Sequence, residues 1–553
     1  MRIRVISIHF LLLLLFTAFK LQAAPVNAAT AQVVAACFYS QHYSAGNVNL
    51  TLAYTETDNY GNAEYYIYNV NTNDGFVIVS ADDATHPIIG YNNAGHYKTG
   101  PQPPHIAFWL QHYKKQVDYI RSQKLSATAD IQNEWTAYKN NRPTPQTQRV
   151  NGAGVSPLLS CTWAQAPYFN ADCPDTCVAG CVATAMGQIM KYWAFPPHGI
   201  GNTTDHDPTY GDLWANFDTT HYNWASMPAN ITQPNQEVAN LMYDLGIAVS
   251  MEYTAESSGS YVISGDAWST NGVCAQSAYP GNFGYNAGTL QGLYRTDYSD
   301  NDWINLLENE LNNHRPLQYE GAGTDGGHSW VCDGYNSIGD FHMNWGWGGY
   351  LDGYYNLSSL NPGGTPLSSD QEALIGIEPS TVVSDFSTDK VIVRAGDTVH
   401  FTDNSFGTTP VTKLQWNFSG GTIVATTDSG MPGKAPMVIY ATPGTYEVDE
   451  TVSTSKASTT TMHYNYITVL DNDGVNVYPT ANNGNFTIRL HDGSLTGSHI
   501  QFDLYNTLGE KVYTATLTNY TTQVNLELPH GLYIFHAVAN NHVLSWGKMA
   551  IGD

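Results

Sequence analysis

The stretch GCVATAMGQIMKYW, residues 180 to 193, decides how the middle of this chain folds. Val182, Ala185, Met186, Ile189, Met190 and Trp193 recur at the spacing of one helical face, so the segment predicts an amphipathic helix buried along that face. Pro196 and Pro197 bound it. Gly180 stands just before the periodic run and puts Cys181 in the first turn, where free backbone N–H groups and the helix dipole favour a thiolate. Cys181 is therefore a candidate nucleophile. A small buried core cysteine, or half of a disulfide, is the competing reading, and only partners elsewhere in the chain decide between them.

Those partners are offered by GAGTDGGHSWVCDGY, residues 321 to 335, and FHMNWGWGG, residues 341 to 349. The glycines let a substrate or another backbone approach His328 closely, and SWVCDGY followed by DFHMNW predicts two strands joined by a turn at Asn336 to Asp340. Such a hairpin sets His328 beside Asn344. The Asn344 side chain then accepts from one ring nitrogen while the other faces a thiolate, which is the division of labour in a Cys-His-Asn triad. Read singly, His328 is a satisfied structural imidazole among 19 histidines and NWGWGG is a packing turn. Read together, Cys181, His328 and Asn344 supply nucleophile, base and orienter.

Working outward, 553 residues at about 150 per domain imply three to four domains. Residues 1–23 carry Arg2 and Arg4, an apolar run from Phe10 to Phe19, and small residues at Ala23 and Ala24, the plan of a signal peptide. The run is shorter than the ~20 residues of a bilayer span, and no other segment predicts a transmembrane helix in the mature chain. Residues 24–150 alternate strand-like runs (EYYIYNV, GFVIVSADD) with a helix, HIAFWLQHYKKQVDYI, and end in a loose stretch around Pro143 and Pro145 that reads as a linker and cleavage site. From 151 to 378 there are three basic residues against 24 acidic ones, most of the chain's net charge of −26. That balance removes the basic footprint nucleic acid requires. Charged residues at 13% and aromatics at 12% fit folded, secreted material rather than a disordered chain. Residues 380–471 and 472–553 turn to short alternating strands divided by Gly, Pro and Asp, the pattern of β-sandwiches.

The three motifs GCVATAMGQIMKYW, GGHSWVCDGY and NWGWGG followed by DGYYNLSSLNP resemble the streptopain family of papain-clan cysteine peptidases over residues 155 to about 378. The resemblance implies an α+β fold, a papain-like two-subdomain peptidase over 151–379. In it Cys181 attacks the peptide carbonyl, His328 takes and then donates the proton, and Asn344 and Trp345 hold and shield the imidazole. SSGS, residues 257 to 260, looks like the family's substrate-loop motif and implies that Ser260 and Gly327 contact substrate backbone. Gln165, in WAQAPYFN, is similar to the residue expected near the oxyanion hole.

The flanks carry resemblances of their own. GFVIVSADDATHPIIGY with the following helix looks like the family's inhibitory propeptide, so residues 24–150 are expected to be an intramolecular inhibitor in a zymogen. FTDNS, LQWNF and PGTYEV resemble a PKD domain, and VYPTANNGNFTI, LYNTLGEKVY and LPHGLYIFHAV resemble a C-terminal sorting domain of type IX secretion. The last implies the type IX machinery as a partner and export across the outer membrane of a gram-negative bacterium.

Cys161, Cys173, Cys177, Cys274 and Cys332 depart from streptopain, which lacks them. CPDTCVAGC raises a zinc reading, but metal-binding cysteine pairs, spaced by about two to four residues, come with a second pair downstream and none follows. No metal or cofactor is expected. Disulfides among the extra cysteines are, with connectivity left open. The function this supports is a secreted cysteine endopeptidase acting on protein or peptide substrates. Two other classes remain: a catalytically silent adhesin or binding module on the same fold, and a thiol acyltransferase that passes the acyl group to an amine.

Overall fold

A computed structural model describes residues 24–552 apart from 44–47, 143–153, 266–271, 324–325, 358–370, 427–432, 471–473, 492–498 and 540–541. The expected signal peptide and the proline-containing linker lie outside the described residues. The chain divides after Glu378 into two units.

The first unit opens with α1 (Ala28–Tyr43), the strands β1 (Leu50–Thr57), β2 (Ala63–Val70), β3 (Phe76–Ser80) and β4 (Ile88–Asn92), then α2 (Pro104–Gln123) and α3 (Ala129–Lys139). It continues with α4 (Cys181–Trp193), the hairpin β5 (Asn202–Asp207) and β6 (Gly211–Asn216), then α5 (Gln236–Ala248), α6 (Ala275–Phe283), β7 (Gln291–Tyr294) and α7 (Asp300–Asn312). The last strands are β8 (Leu317–Gly323), β9 (Gly326–Tyr335), β10 (Phe341–Asn344), β11 (Gly353–Tyr355) and β12 (Gln371–Ile375).

Ten of these strands share one antiparallel sheet, in the order β1-β2-β3-β4-β11-β10-β9-β8-β12-β7. The expected propeptide and peptidase regions meet inside it, at β4 and β11, where Tyr91 faces Tyr354 and Gly90 faces Tyr355. A side-chain carbon on Gly90 would come within 2.6 Å of the Tyr355 ring, so the seam closes only over glycine. Period-two alternation then sorts side chains to two cores. Tyr65, Ile67, Phe76 and Ile78 face a cluster shared with Trp109 and Tyr113 of α2 and with Trp330, Trp345 and Tyr355. Tyr66, Tyr68, Val77 and Val79 face α1 and α3 through Phe38 and Trp135.

The second unit is all β. Residues 386–470 form two four-stranded sheets around Phe386, Val399, Phe401, Val438, Val448 and Ile467. Residues 475–551 form a three-stranded and a five-stranded sheet around Phe486, Ile488, Phe502, Leu504 and Phe535. Helices on a sheet followed by two β-sandwiches is the α+β class expected. Among the described residues no helix is long and apolar enough to cross a membrane.

Candidate active site

Cys181 opens α4, and the residue before it explains why the helix starts there. Gly180 has φ +87°, and a side-chain carbon on it would meet Met251 at 2.6 Å and Ser258 O at 3.2 Å. Glycine lets the chain turn sharply against that loop and leaves the thiol at the first helical position. Gln318 of β8 fixes the helix start to the strand that carries His328: its Nε2 donates to Ser329 Oγ at 2.9 Å and to Val182 O at 3.5 Å.

The site is covered from above by α2, which lies in the stretch expected to be the propeptide of a precursor. The His105 ring lies 4.9 Å and the Phe108 ring 5.8 Å from the His328 ring. His105, Phe108 and Trp109 occupy neighbouring turns of one helix face, which is the spacing that lets them descend together. A ligand-type atom from each of His105, Cys181 and His328 lies within 4.8 Å of the other two. Trp347 Nε1 donates to His105 Nδ1 at 2.8 Å and holds that ring in place.

Burial sets the protonation of the cluster. It pushes the Cys181 thiol up to about 11, with the Glu320 carboxylate adding to the rise and the N–H groups of Ser329, Val182 and Cys181 opposing it. Burial lowers the pKa of His328 as well. It takes His105 down to about 3, helped by the neighbouring His328 and opposed by the Ser329 backbone, which stands outside hydrogen-bonding geometry. Near neutral pH the precursor therefore holds a thiol beside a neutral imidazole, a pair that does not attack carbonyls.

A labelling rate reads this directly. With chelator present, iodoacetamide should modify Cys181 about a hundredfold faster in the mature form than in the precursor: a thiol returning from about 11 to near neutral gains about 10⁴ in thiolate fraction and loses about 60-fold in intrinsic nucleophilicity. Short pulses at neutral pH, followed by mass analysis of the Cys181 peptide, measure it. Equal rates would mean that α2 does not control the thiol.

The structure brings some expected site residues together and leaves others apart. The turn from Asn336 to Asp340 forms, with Asn336 N–H donating to Asp340 O at 3.0 Å. The register it sets, however, places Asn344 opposite Val331 rather than His328. Asn344 Nδ2 donates to Cys161 O at 2.9 Å and its Oδ1 accepts from Gly346 N at 3.2 Å, so in the precursor it does not serve as the acceptor for His328. His328 packs instead against the rings of α2. Trp345 is fully buried between Trp330 and Trp109, with ring centroids 5.0 and 5.7 Å away, and forms core beneath the site. Gln165 is buried near the nucleophile, its carbonyl accepting from Ala179 N–H. The SSGS loop borders Gly180 through Ser258 O, while the Ser260 hydroxyl turns to Val249 O. Gly327 is exposed beside His328 on β9.

The expected disulfides are absent: all seven cysteines are free and buried. The run CPDTCVAGC disperses its thiols instead of gathering them. Cys173 reaches Tyr253, Cys177 lies 3.1 Å from Tyr210 Oη, and Cys181 faces His328. Sequence reasoning missed His105, Phe108, Glu320, Gln318 and Trp347. The helix period in HIAFWLQHYKKQVDYI marked a buried face, but nothing in it said which surface that face would cover.

Comparison with known proteins gives four family matches in chain order. They are the Spi protease inhibitor (residues 23–117), the peptidase C10 family (163–355), the PKD domain (385–464) and the secretion system C-terminal sorting domain (476–551). The chain is 30% identical over 402 residues to the thiol protease/hemagglutinin PrtT of Porphyromonas gingivalis, 67% of this chain but only 44% of PrtT's length. It is 30% identical over 333 residues to streptopain of Streptococcus pyogenes, 57% of this chain and 80% of streptopain. Among solved structures it is similar to a prointerpain A fragment from Prevotella intermedia, with 28% identity and a TM-score of 0.47 over 60% of this chain and 100% of the fragment.

Proposed function

Since this chain belongs to the peptidase C10 family, we propose that it is a cysteine protease zymogen that activates itself and hydrolyses extracellular proteins through Cys181, His328 and Asn344. That it is a cysteine-type endopeptidase with an inhibitory propeptide, exported by a type IX sorting domain to the outside or the cell surface, follows from the family matches. The observation that carries the finer reading is the position of α2, whose His105 and Phe108 cap the very pair that would do the chemistry.

Once α2 leaves, Cys181 and His328 regain solvent and form a thiolate and an imidazolium. The thiolate adds to the peptide carbonyl, and the resulting oxyanion is held by the Cys181 N–H and by Gln165. His328 gives its proton to the departing amine, leaving a thioester. It then takes a proton from water, which attacks the thioester and frees the product acid and the thiolate, restoring the ion pair. Asn344 turns toward the released imidazole and orients it, Trp345 backs that strand, and Ser260 and Gly327 align the substrate backbone. The type IX machinery is the export partner.

The test incubates purified precursor and its Cys181→Ala variant with a thiol reductant and an unfolded protein. The wild type should shorten by the length of its propeptide and digest the substrate, and the variant should do neither. Shortening and digestion by the variant would overturn the reading. Amide products with an added amine, in place of free carboxylates, would make the enzyme an acyltransferase.

A further inference from the structure

We propose that His105, Cys181 and His328 form a Zn²⁺ site that exists only in the precursor and fastens the propeptide to the catalytic pair. The inference rests on reading Cys181 and His328 as that pair. Two imidazoles and one thiol, with a ligand-type atom of each within 4.8 Å of the others, converge from α2, α4 and β9. Around a tetrahedral zinc with bonds of about 2.0 to 2.3 Å, neighbouring ligand atoms stand about 3.3 to 3.8 Å apart, so closure needs movements of about 1 Å, within the reach of side-chain rotation.

A second observation points to a ligand. His105 is 2% exposed, its Nδ1 is taken by the Trp347 indole, and its Nε2 is buried without a hydrogen-bond partner. A polar atom left bare in a core costs stability that a bound metal would recover. The donor set is nitrogen and sulfur, which suits zinc over calcium or magnesium, and three protein ligands leave the fourth position to water. The surrounding region, with three basic residues against 24 acidic ones over 151–378, attracts a cation.

The proton balance is simple. The Cys181 thiol releases its proton to solvent on binding Zn²⁺ as thiolate, and His328 binds as a neutral imidazole. In the free site the indole N–H of Trp347 donates to Nδ1, so the neutral His105 ring carries its proton on Nε2. On metal binding that proton passes to Nδ1, and the half-buried Trp347 lets go. Because His105 departs with the propeptide, the mature enzyme keeps two of the three ligands, and zinc acts as a brake on maturation.

The experiment titrates Co²⁺ and then Zn²⁺ into freshly reduced, full-length precursor. One equivalent of Co²⁺ should produce a thiolate-to-cobalt charge-transfer band that Zn²⁺ abolishes. His105→Asn should weaken Zn²⁺ binding at least tenfold, and Trp347→Phe, which removes the competing N–H, should strengthen it. Zinc should slow chain shortening of the wild type at least tenfold more than that of His105→Asn, reversibly on chelation. Equal zinc affinity in wild type and His105→Asn, no cobalt band, or equal zinc binding by mature enzyme and precursor would overturn the proposal. A band without any Cys181-dependent chain shortening would leave the metal site standing and remove the self-activating reading beneath it. Should His105→Asn fail to fold, the Trp347→Phe comparison decides: affinity equal to or weaker than wild type counts against the site.

Discussion

Cys181→Ala and His328→Ala are each expected to lower kcat/KM for peptide hydrolysis by at least about ten-thousandfold, and the double variant to lose no more than either alone, because nucleophile and base act as a unit. The thiolate exists only by giving its proton to the imidazole, so without His328 the sulfur stays a thiol. Without Cys181 the imidazole has no sulfur to activate. The geometry supports the coupling, since both side chains reach within 4.8 Å of each other and Gln318 ties the start of α4 to the strand holding His328. None of these variants should process itself, so an added protease must first remove the propeptide from all of them, wild type included. Losses that multiply in the double variant would show two independent contributions and defeat the Cys-His assignment.

Trp109→Ala is expected to cost the precursor about 3 to 5 kcal/mol, the range for emptying a buried indole site. Trp109 is 1% exposed and lies with ring centroids 6.0 Å from Trp330, 5.7 Å from Trp345 and 6.0 Å from Tyr355. It is thus the main apolar anchor of α2 on the sheet. Its indole N–H has no partner, so Trp109→Phe keeps the aromatic contacts, loses no hydrogen bond and should stay much closer to wild type. Urea unfolding in a Cys181→Ala background, followed by tryptophan fluorescence, measures both. An alanine variant within about 1 kcal/mol of wild type would show that α2 is held elsewhere. In the active background the same change should hasten release of the propeptide.

What the sequence disclosed followed the range of the interactions involved. The helix at 181–193 was legible because its period and its leading glycine are local, and α2 and the strands β2 and β3 were legible for the same reason. The β9–β10 turn was legible too. Its register was not: even with an irregularity between His342 and Met343 that shifts the pairing by one, Asn344 stops opposite Val331, three residues short of His328, and a bulge leaves no mark in a run such as FHMNW. Counting thiols suggested disulfides, yet whether two sulfurs meet depends on tertiary distance, and here Tyr210 and Tyr253 stand beside the thiols of Cys177 and Cys173. His105 was silent because its role depends on a segment more than 200 residues away.

The pairing of β4 with β11 carries a cost that falls due at maturation. On the proposed release of the N-terminal region that carries β1 to β4, β11 would change from an interior strand into the rim of the remaining sheet, with its outward N–H and C=O groups bare. A rim of that kind invites other chains to stack on it and start aggregates. β11 is only three residues long, Gly353–Tyr355, which leaves a foreign strand too little backbone to grip. The brevity of that strand limits what shedding four of the sheet's ten strands would expose.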